Sequence, residues 1–328
     1  MSDLPKIVYF GSDPICLPGL QYLFEKGGDL CVLAAVVSQP DRRQGRGKKL
    51  QQNAVAAYAS AQSIPLLQPE KPDVALGEWL RKESITLAFV MAYGHYLPMT
   101  VREAPKHGML NFHGSVLPDY RGASPVETAI AMGDSETGVC LMQVIKELDA
   151  GSVAECEHIK IESTETGTTL RAKVGQAVVS LLSRNLKTSL HGGLEFDSQD
   201  AERATFCRKI SKEDGALNFW QSATTIDARL RAFTPWPGAF FEHEGMRIKV
   251  GRCSVRTEGK TGVPGTVLRV GKTLDISTTD GVLCIHELQR PSGRLLPVSD
   301  FLRGYQIVVG DVLPSVPSVP LLVSNSGV

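Results

Sequence analysis

Three polar side chains near the middle of the chain have the chemistry needed to move an acyl group onto an amine. Asn111 and His113 stand in the segment Gly108 to Pro125, GMLNFHGSVLPDYRGASP, and Asp149 follows in the segment ELDAG. Asn111 offers an amide donor, His113 a base that titrates near neutrality, and Asp149 a carboxylate that can orient the imidazole or accept a proton. In acyl transfer the attacking amine loses a proton while the carbonyl oxygen becomes anionic. This set therefore suits the reaction without a hydroxyl or thiol nucleophile.

The surrounding pattern predicts that these side chains follow strand ends. Met109, Leu110 and Phe112 form a short apolar run typical of a buried strand, and the prolines and glycines after it prevent the strand from continuing. Ligands of open α/β sheets bind outside the carboxyl ends of the strands. A further strand is predicted over Thr137 to Ile145, just before Asp149. We therefore expect two strand ends, distant in the chain, to meet at one site.

The spacing of the whole segment resembles a known family. N-x-H-x-S-x-L-P-x-x-x-G followed by L-D-x-G is the signature of the 10-formyltetrahydrofolate-dependent formyltransferases. Taken singly, His113 would more often be a structural histidine, and Asn111 and Asp149 turn residues, but the full signature outweighs that alternative. We expect Asn111 to hydrogen-bond the developing oxyanion, His113 to handle the proton of the tetrahedral intermediate, and Asp149 to orient or relay through it. No metal is implied.

Neighbouring segments resemble the branch of this family that acts on methionyl initiator tRNA. They are SQPDRRQGRGKKL, RGASPVETAIAMGDSETGV and AFTPWPGAFF, and the resemblance runs from about Lys6 to about Val312. It implies direct transfer of the formyl group of the co-substrate 10-formyltetrahydrofolate to the α-amine of methionine on that tRNA, which supports translation initiation. Relatives that act on amino sugars or glycinamide ribonucleotide use the same three residues, so these acceptors stay open. A non-catalytic RNA-binding or folate-binding protein on the same scaffold is a further alternative.

A basic segment, Ser38 to Leu50, follows the second predicted strand. Its cations alternate with glycines, which predicts an irregular loop, and by composition alone it would be a solvated charged loop. The resemblance implies instead that the segment enters the acceptor stem of the tRNA and becomes ordered on binding, with Arg46 as the main contact. The residues expected to bind tRNA are Arg42, Arg43, Arg46, Lys48 and Lys49.

The resemblance also implies a folate pocket beside the catalytic residues. The backbone that follows the predicted strand Ile85 to Ala92 would lie against the pterin, and the segment after His113 would bind the co-substrate. The residues expected to bind folate are Met91, Tyr93, Gly94, Ser115, Val116, Leu117 and Pro118. Val116 stands where most relatives have leucine, a change that shortens one apolar contact and removes no polar one.

The apolar runs of the first half predict an α/β fold. Lys6 to Phe10 and Leu30 to Val37 read as buried parallel strands with a helix between them, and the turn after the first strand lacks G-x-G-x-x-G, so nothing indicates a dinucleotide. Short alternating runs after Ala239 predict a small β barrel. The expected fold is a Rossmann-like, mostly parallel sheet followed by a smaller OB-like barrel, which the resemblance implies grips the tRNA.

The length of 328 residues favours two domains. We expect a formyltransferase catalytic domain over residues 1–190, a linker over 191–207, an OB-like tRNA-binding domain over 208–314 and a flexible tail over 315–328.

Composition restricts the function classes. Lys plus Arg and Asp plus Glu each number 35, so the formal net charge is zero and the chain as a whole does not attract nucleic acid. Binding of tRNA must therefore come from local basic patches. The start of the chain has no signal-peptide pattern, and no run reaches the roughly 18 apolar residues of a membrane span. We expect a cytoplasmic, monomeric protein that makes no membrane contact. Seven cysteines without a C-x-x-C pair predict reduced, mostly buried thiols.

Overall fold

The computed structural model of the protein describes residues 4–44, 49–257 and 262–324. The chain forms two compact units, the first made of Met1–Gly122, Glu136–Lys160 and Arg171–Thr205, and the second of Ala123–Ser135, Ile161–Leu170 and Phe206–Val328. This division differs from the expected contiguous domains. Residues 123–135 and 161–170 belong to the second unit, and residues 191–205, expected to be a linker, belong to the first.

The first unit is built on a seven-stranded sheet with the spatial order β10-β9-β7-β6-β1-β2-β5. The strands of this half of the chain are β1 (Lys6–Phe10), β2 (Val32–Val37), β3 (Arg42–Gln44), β4 (Lys49–Gln51), β5 (Leu66–Leu67), β6 (Ile85–Val90), β7 (Met109–His113), β8 (Arg121–Gly122), β9 (Glu136–Gln143) and β10 (Val153–Lys160). Five neighbouring strands are parallel, in the order β5, β2, β1, β6 and β7. β9 pairs antiparallel with β7, and β10 pairs antiparallel with β9.

The helices of the chain are divided between the two units. Those of the described residues are α1 (Leu17–Lys26), α2 (Ala54–Ala61), α3 (Val74–Lys82), α4 (Met99–Arg102), α5 (Pro125–Met132), α6 (Gly167–Leu190), α7 (Ala223–Ala232) and α8 (Val298–Phe301). One cluster joins Phe10 of β1 and Val90 of β6 to Leu80 of α3. Within the described ranges, no helix combines the length and the apolar character that a membrane crossing requires.

The second unit contains two four-stranded antiparallel sheets, with orders β12-β13-β18-β19 and β14-β17-β16-β15. The strands in this half are β11 (Phe206–Cys207), β12 (Ala239–His243), β13 (Met246–Val250), β14 (Cys253–Arg256), β15 (Val267–Val270), β16 (Leu274–Ser277), β17 (Val282–Ile285), β18 (Glu287–Gln289), β19 (Leu296–Pro297) and β20 (Leu322–Val323). Both sheets contribute to a single core, which includes Ile248 of β13, Leu274 of β16 and Ile226 of α7. The predicted fold class, a mostly parallel sheet followed by a smaller antiparallel β unit, is confirmed.

The expectation that every cysteine is a free thiol is wrong at one pair. Cys140 and Cys156 form a disulfide, with their Cα atoms 4.0 Å apart, because they lie opposite each other in the antiparallel pair of β9 and β10. The strand register brings together residues 16 positions apart in sequence, a proximity that no local cysteine spacing indicates. The other five cysteines are free, as predicted.

The expected flexible tail is also corrected for residues 315–324. The Arg208 guanidinium donates to the carbonyl oxygens of Val319 and Pro320, at 3.1 and 2.8 Å. Leu321 is buried, and β20 pairs with β11. Prolines in this stretch lack an N–H, but their carbonyl oxygens still accept hydrogen bonds, so a Pro-rich composition does not prevent docking. Residues 325–328 lie outside the described residues.

Candidate active site

The candidate site begins at the carboxyl end of β7, the strand at which the parallel part of the sheet meets the antiparallel part. Side chains alternate along a strand, so Asn111 and His113 lie on one face of the sheet and Phe112 on the other. Phe112 stacks on Phe89 of β6, with ring centroids 5.7 Å apart, which fixes β7 from its opposite face. The alternation therefore presents both polar side chains together.

The imidazole of His113 is held in one orientation. The side chain is almost fully buried, and Nε2 lies 2.9 Å from the carbonyl oxygen of Tyr120. A carbonyl oxygen can only accept a hydrogen bond, so Nε2 carries the proton and donates it to Tyr120. Nδ1 is then the ring atom that can bind or release a proton, and Oδ2 of Asp149 faces it at 3.6 Å.

Asp149 reaches His113 by a route that the sequence did not predict. We expected β9 to end at the same edge of the sheet as β7, but β9 is antiparallel, so it ends at the opposite edge, where Val144 N–H donates to the Met109 carbonyl at 3.0 Å. The chain then returns in a loop before β10. Asp149 has a φ of +50° in this loop, a conformation that Asp tolerates better than most residues, and its Oδ2 accepts the Gly122 N–H at 2.9 Å.

The side chain of Asn111 is free to bind a ligand. It is partly buried between Val90 of β6 and Met142 of β9, which are its neighbours in the sheet. No residue in the described part of the chain forms a hydrogen bond with its amide. A buried or half-buried amide normally finds a partner, so this one is available to a group from outside the protein.

The segment Met91 to Gly94 follows β6, the parallel neighbour of β7. Tyr93 points its ring into the core, edge-on to Phe10, and burial raises the pKa of its phenol to about 12. Its carbonyl oxygen accepts a hydrogen bond from Nε2 of Gln39 at 2.9 Å. Gly94 has a φ of +78°, and an added Cβ would lie 2.6 Å from that same nitrogen. Any ligand contact at Tyr93 and Gly94 would therefore come from their backbone.

The segment Ser115 to Pro118 forms a turn closed by its own polar groups. The hydroxyl of Ser115, which is fully buried, donates to the carbonyl oxygen of Asp119, whose N–H donates to the Val116 carbonyl at 3.1 Å. Leu117 N–H donates to Sγ of Cys140 at 3.3 Å. The Ser115 side chain is thus committed to the turn, while Val116 remains partly exposed.

The basic segment is more regular than predicted at its two ends. β3 and β4 pair antiparallel, with Arg42 opposite Gln51 and Arg43 opposite Leu50, because extended chains on both sides of a glycine-containing connection can exchange backbone hydrogen bonds. The side chains of Arg42, Arg43 and Lys49 are exposed. Arg46 and Lys48, also predicted to bind tRNA, lie outside the described residues.

Sequence reasoning missed two residues that hold the catalytic segments, because both lie in the stretch expected to be a linker. The carbonyl oxygen of Thr205 accepts the Arg121 N–H at 2.9 Å, and so fixes the peptide whose carbonyl orients His113, while its Oγ1 accepts the Tyr120 N–H at 2.8 Å. Gln199 donates to the backbone around Asp149. These contacts are set by the tertiary fold, and the polar local pattern of this stretch gives no signal for them.

Two family profiles match the chain. The profile described as "Formyl transferase" covers residues 6–186, and "Formyl transferase, C-terminal domain" covers residues 209–306.

Individual relatives extend over nearly the whole chain. A Myxococcus xanthus protein named methionyl-tRNA formyltransferase is 38% identical over 310 residues, which is 93% of this chain and 97% of the relative. A Parvibaculum lavamentivorans protein of the same name is 36% identical over 311 residues, 93% of this chain and 99% of the relative. Among solved structures, the sugar 3N-formyl transferase WlaRD, determined with dTDP and 5-N-formyl-THF, superposes with a TM-score of 0.64 at 17% identity, covering 90% of this chain and 100% of that one. At this identity the likeness shows the fold alone.

We expect neutral His113 to be the tautomer protonated at Nε2, because the Tyr120 carbonyl requires a donor there. Long-range ¹H–¹⁵N spectra of protein labelled at histidine will distinguish the two tautomers, with His113→Gln used to assign the resonances. A spectrum in which Nδ1 carries the proton would contradict this geometry.

Proposed function

Since the chain belongs to the formyl transferase family, we propose that it transfers the formyl group of 10-formyltetrahydrofolate to the α-amino group of methionyl initiator tRNA. Relatives that carry the corresponding name match 93% of its length, which supports this acceptor over an amino sugar. The observation that carries the proposal is the geometry of His113, whose Nδ1 faces Asp149 while Nε2 is held by a backbone carbonyl.

In the mechanism that we infer, the methionyl amine attacks the formyl carbon directly. A new C–N bond forms, the formyl oxygen becomes anionic, and the amide of Asn111 donates a hydrogen bond to it. Nδ1 of His113, with Asp149 beside it, takes the proton that the amine loses and returns it to the folate nitrogen that leaves. The bond between that nitrogen and the formyl carbon then breaks. One proton moves from the acceptor to the leaving nitrogen, so the reaction balances without a covalent enzyme intermediate.

The folate co-substrate would bind between two strand-end segments. Met91 to Gly94 and Ser115 to Pro118 follow β6 and β7, which are parallel neighbours, so both lie at the edge where such sheets bind ligands. The Ser115 hydroxyl is used within its own turn and the Tyr93 ring is buried in the core, which leaves backbone groups and the apolar side chain of Val116 to make the contacts. Asn111, whose amide forms no hydrogen bond with any described residue, lies between these segments and would meet the formyl group.

The tRNA would contact the exposed cations of the β3–β4 hairpin. Arg42, Arg43 and Lys49 lie on its two strands, and phosphate contacts by such side chains release counterions. Exposed basic residues of the second unit would add contacts outside the acceptor stem. We infer that a single chain suffices, because Asn111, His113 and Asp149 all lie in its first unit. It would act in the cytoplasm, where aminoacylated tRNA is found.

The decisive experiment is formyl transfer from 10-formyltetrahydrofolate to methionyl initiator tRNA, with uncharged tRNA and an amino-sugar nucleotide measured in parallel. We expect transfer to the charged tRNA alone, because the proposed acceptor is its α-amine. Transfer only to the sugar nucleotide would show that the acceptor is an amino sugar, while the formyl-transfer reaction itself would stand. Absence of transfer to either compound would favour a binding protein.

Replacing Asn111 by alanine is expected to lower kcat about 10²- to 10³-fold, as for loss of one oxyanion-hole donor, with the affinity for tRNA retained. Single-turnover formylation and filter binding measure the two quantities separately. Asn111→Asp keeps the size but loses the amide donor, so it should be at least as slow. Normal turnover in either variant would remove Asn111 from the mechanism.

Arg42→Ala is expected to weaken tRNA binding and to reduce the slope of log K against log salt by about 0.7 to 0.9 for each lost phosphate contact. Titrations at several salt concentrations measure this slope. Lys26→Ala removes an exposed cation at the end of α1 and serves as the matched control. Equal slopes for Arg42→Ala and the unmodified protein would exclude the hairpin as a tRNA contact.

A further inference from the structure

We propose that Gln199 is a positioning residue that holds Asp149 against His113 during formyl transfer, an inference that rests on the function proposed above. One side chain makes four hydrogen bonds around the site. Its Nε2 donates to the carbonyl oxygens of Asp149 and Gly151, at 2.9 and 2.6 Å, and its Oε1 accepts from Nε and Nη2 of Arg121, at 3.0 and 2.8 Å.

Asp149 needs such support because it lies in a loop rather than at a strand end. β9 ends at Gln143 and β10 begins at Val153, and the residues between them have no ladder hydrogen bonds beyond their first and last positions. Leu148, the neighbour of Asp149, is 54% exposed and so gives the turn little packing. The carboxylate itself is held by the N–H of Gly122. Gln199 fixes the backbone from the carbonyl of Asp149 to that of Gly151, directly after the Cα atom that bears this carboxylate.

The acceptor half of the Gln199 amide connects this loop to the segment that orients His113. Arg121, whose guanidinium binds Oε1, directly follows Tyr120, whose carbonyl accepts the His113 proton. Arg121 is 6% exposed, and burial lowers its pKa while the charge of Asp149 opposes that effect. A single amide thus ties together the chain segments that place the imidazole and the carboxylate.

The chemistry of this position requires an amide. The two carbonyl oxygens need donors, and the guanidinium needs an acceptor, so the amide can be oriented in only one way. A carboxylate would still bind Arg121 but would place its second oxygen against two carbonyl oxygens. Glutamate is therefore the informative replacement, since it changes the donor half and keeps the acceptor half.

Gln199 is not needed to hold its own segment in place. Asp197, two residues earlier, exchanges two backbone hydrogen bonds with Val153, both 2.9 Å long, and Thr205 binds Tyr120 and Arg121 through its hydroxyl and carbonyl. Loss of the Gln199 amide should therefore leave the segment docked and release mainly the turn that contains Asp149.

The test is a double-mutant cycle between Gln199 and Asp149 in the formylation assay. We expect Gln199→Ala and Gln199→Glu to lower kcat about 10- to 100-fold, the cost of a small misplacement of a catalytic group, with KM for both substrates within about 2-fold. In the Asp149→Asn background the same two replacements should lower kcat by less than about 2-fold, because the carboxylate that Gln199 positions is already absent. A loss of equal size in both backgrounds would show a general structural role and would overturn the proposal.

Two measurements keep this outcome separate from folding defects and from failure of the proposed function. Asp200→Ala removes the cap of the short turn that follows Gln199 and touches neither Asp149 nor Arg121, so it is the matched control and should retain the unmodified kcat. The ¹⁵N resonances of His113 report on Asp149 without any acceptor. In Gln199→Ala and Gln199→Glu they should move in the direction that Asp149→Asn produces, and unmoved resonances would overturn the proposal even if the protein formylates no tRNA.

Discussion

The hydrogen bond from Nε2 of His113 to the Tyr120 carbonyl is the constraint on which the candidate site depends. It uses one ring nitrogen for orientation and leaves the other, Nδ1, facing the carboxylate of Asp149. If the ring were held by a side chain that can also donate, either tautomer would be allowed. A backbone carbonyl removes that freedom, and the Thr205 carbonyl fixes its peptide plane by accepting the Arg121 N–H.

The change of strand direction beside β7 explains why the site needs so many supports. In a fully parallel sheet, the residue after the next strand would emerge at the same edge as His113. Because β9 is antiparallel, Asp149 must be carried back by a loop, and a loop without ladder hydrogen bonds places a side chain less accurately than a strand end. The contacts of Gly122 and Gln199 compensate for this.

Local features of the site could be predicted from the sequence, and features that depend on pairing could not. The strand before His113 and the turn after it follow from an apolar run that ends in prolines and glycines. Asp149 was identified through a family signature, but its route to the site was predicted wrongly, because residue pattern does not tell parallel from antiparallel pairing. Pairing that the pattern does not reveal also hid the Cys140–Cys156 disulfide, while the polar composition of the segment that contains Gln199 made it read as a linker.

Charge in the second unit shows why a count of cations is a poor guide to tRNA binding. Arg208 forms two hydrogen bonds with the buried carboxylate of Asp214, and Arg256 and Arg269 both pair with Asp275, which is fully buried. Burial alone would raise the pKa of Asp214, but the hydrogen bonds from Arg208 lower it below its ordinary value. The charge of these guanidinium groups is therefore largely balanced by carboxylates inside the unit, so it contributes little to the attraction of phosphates. The cations that can steer a tRNA are those that present their charge to solvent, so in a chain of zero net charge recognition depends on where they lie and not on how many there are.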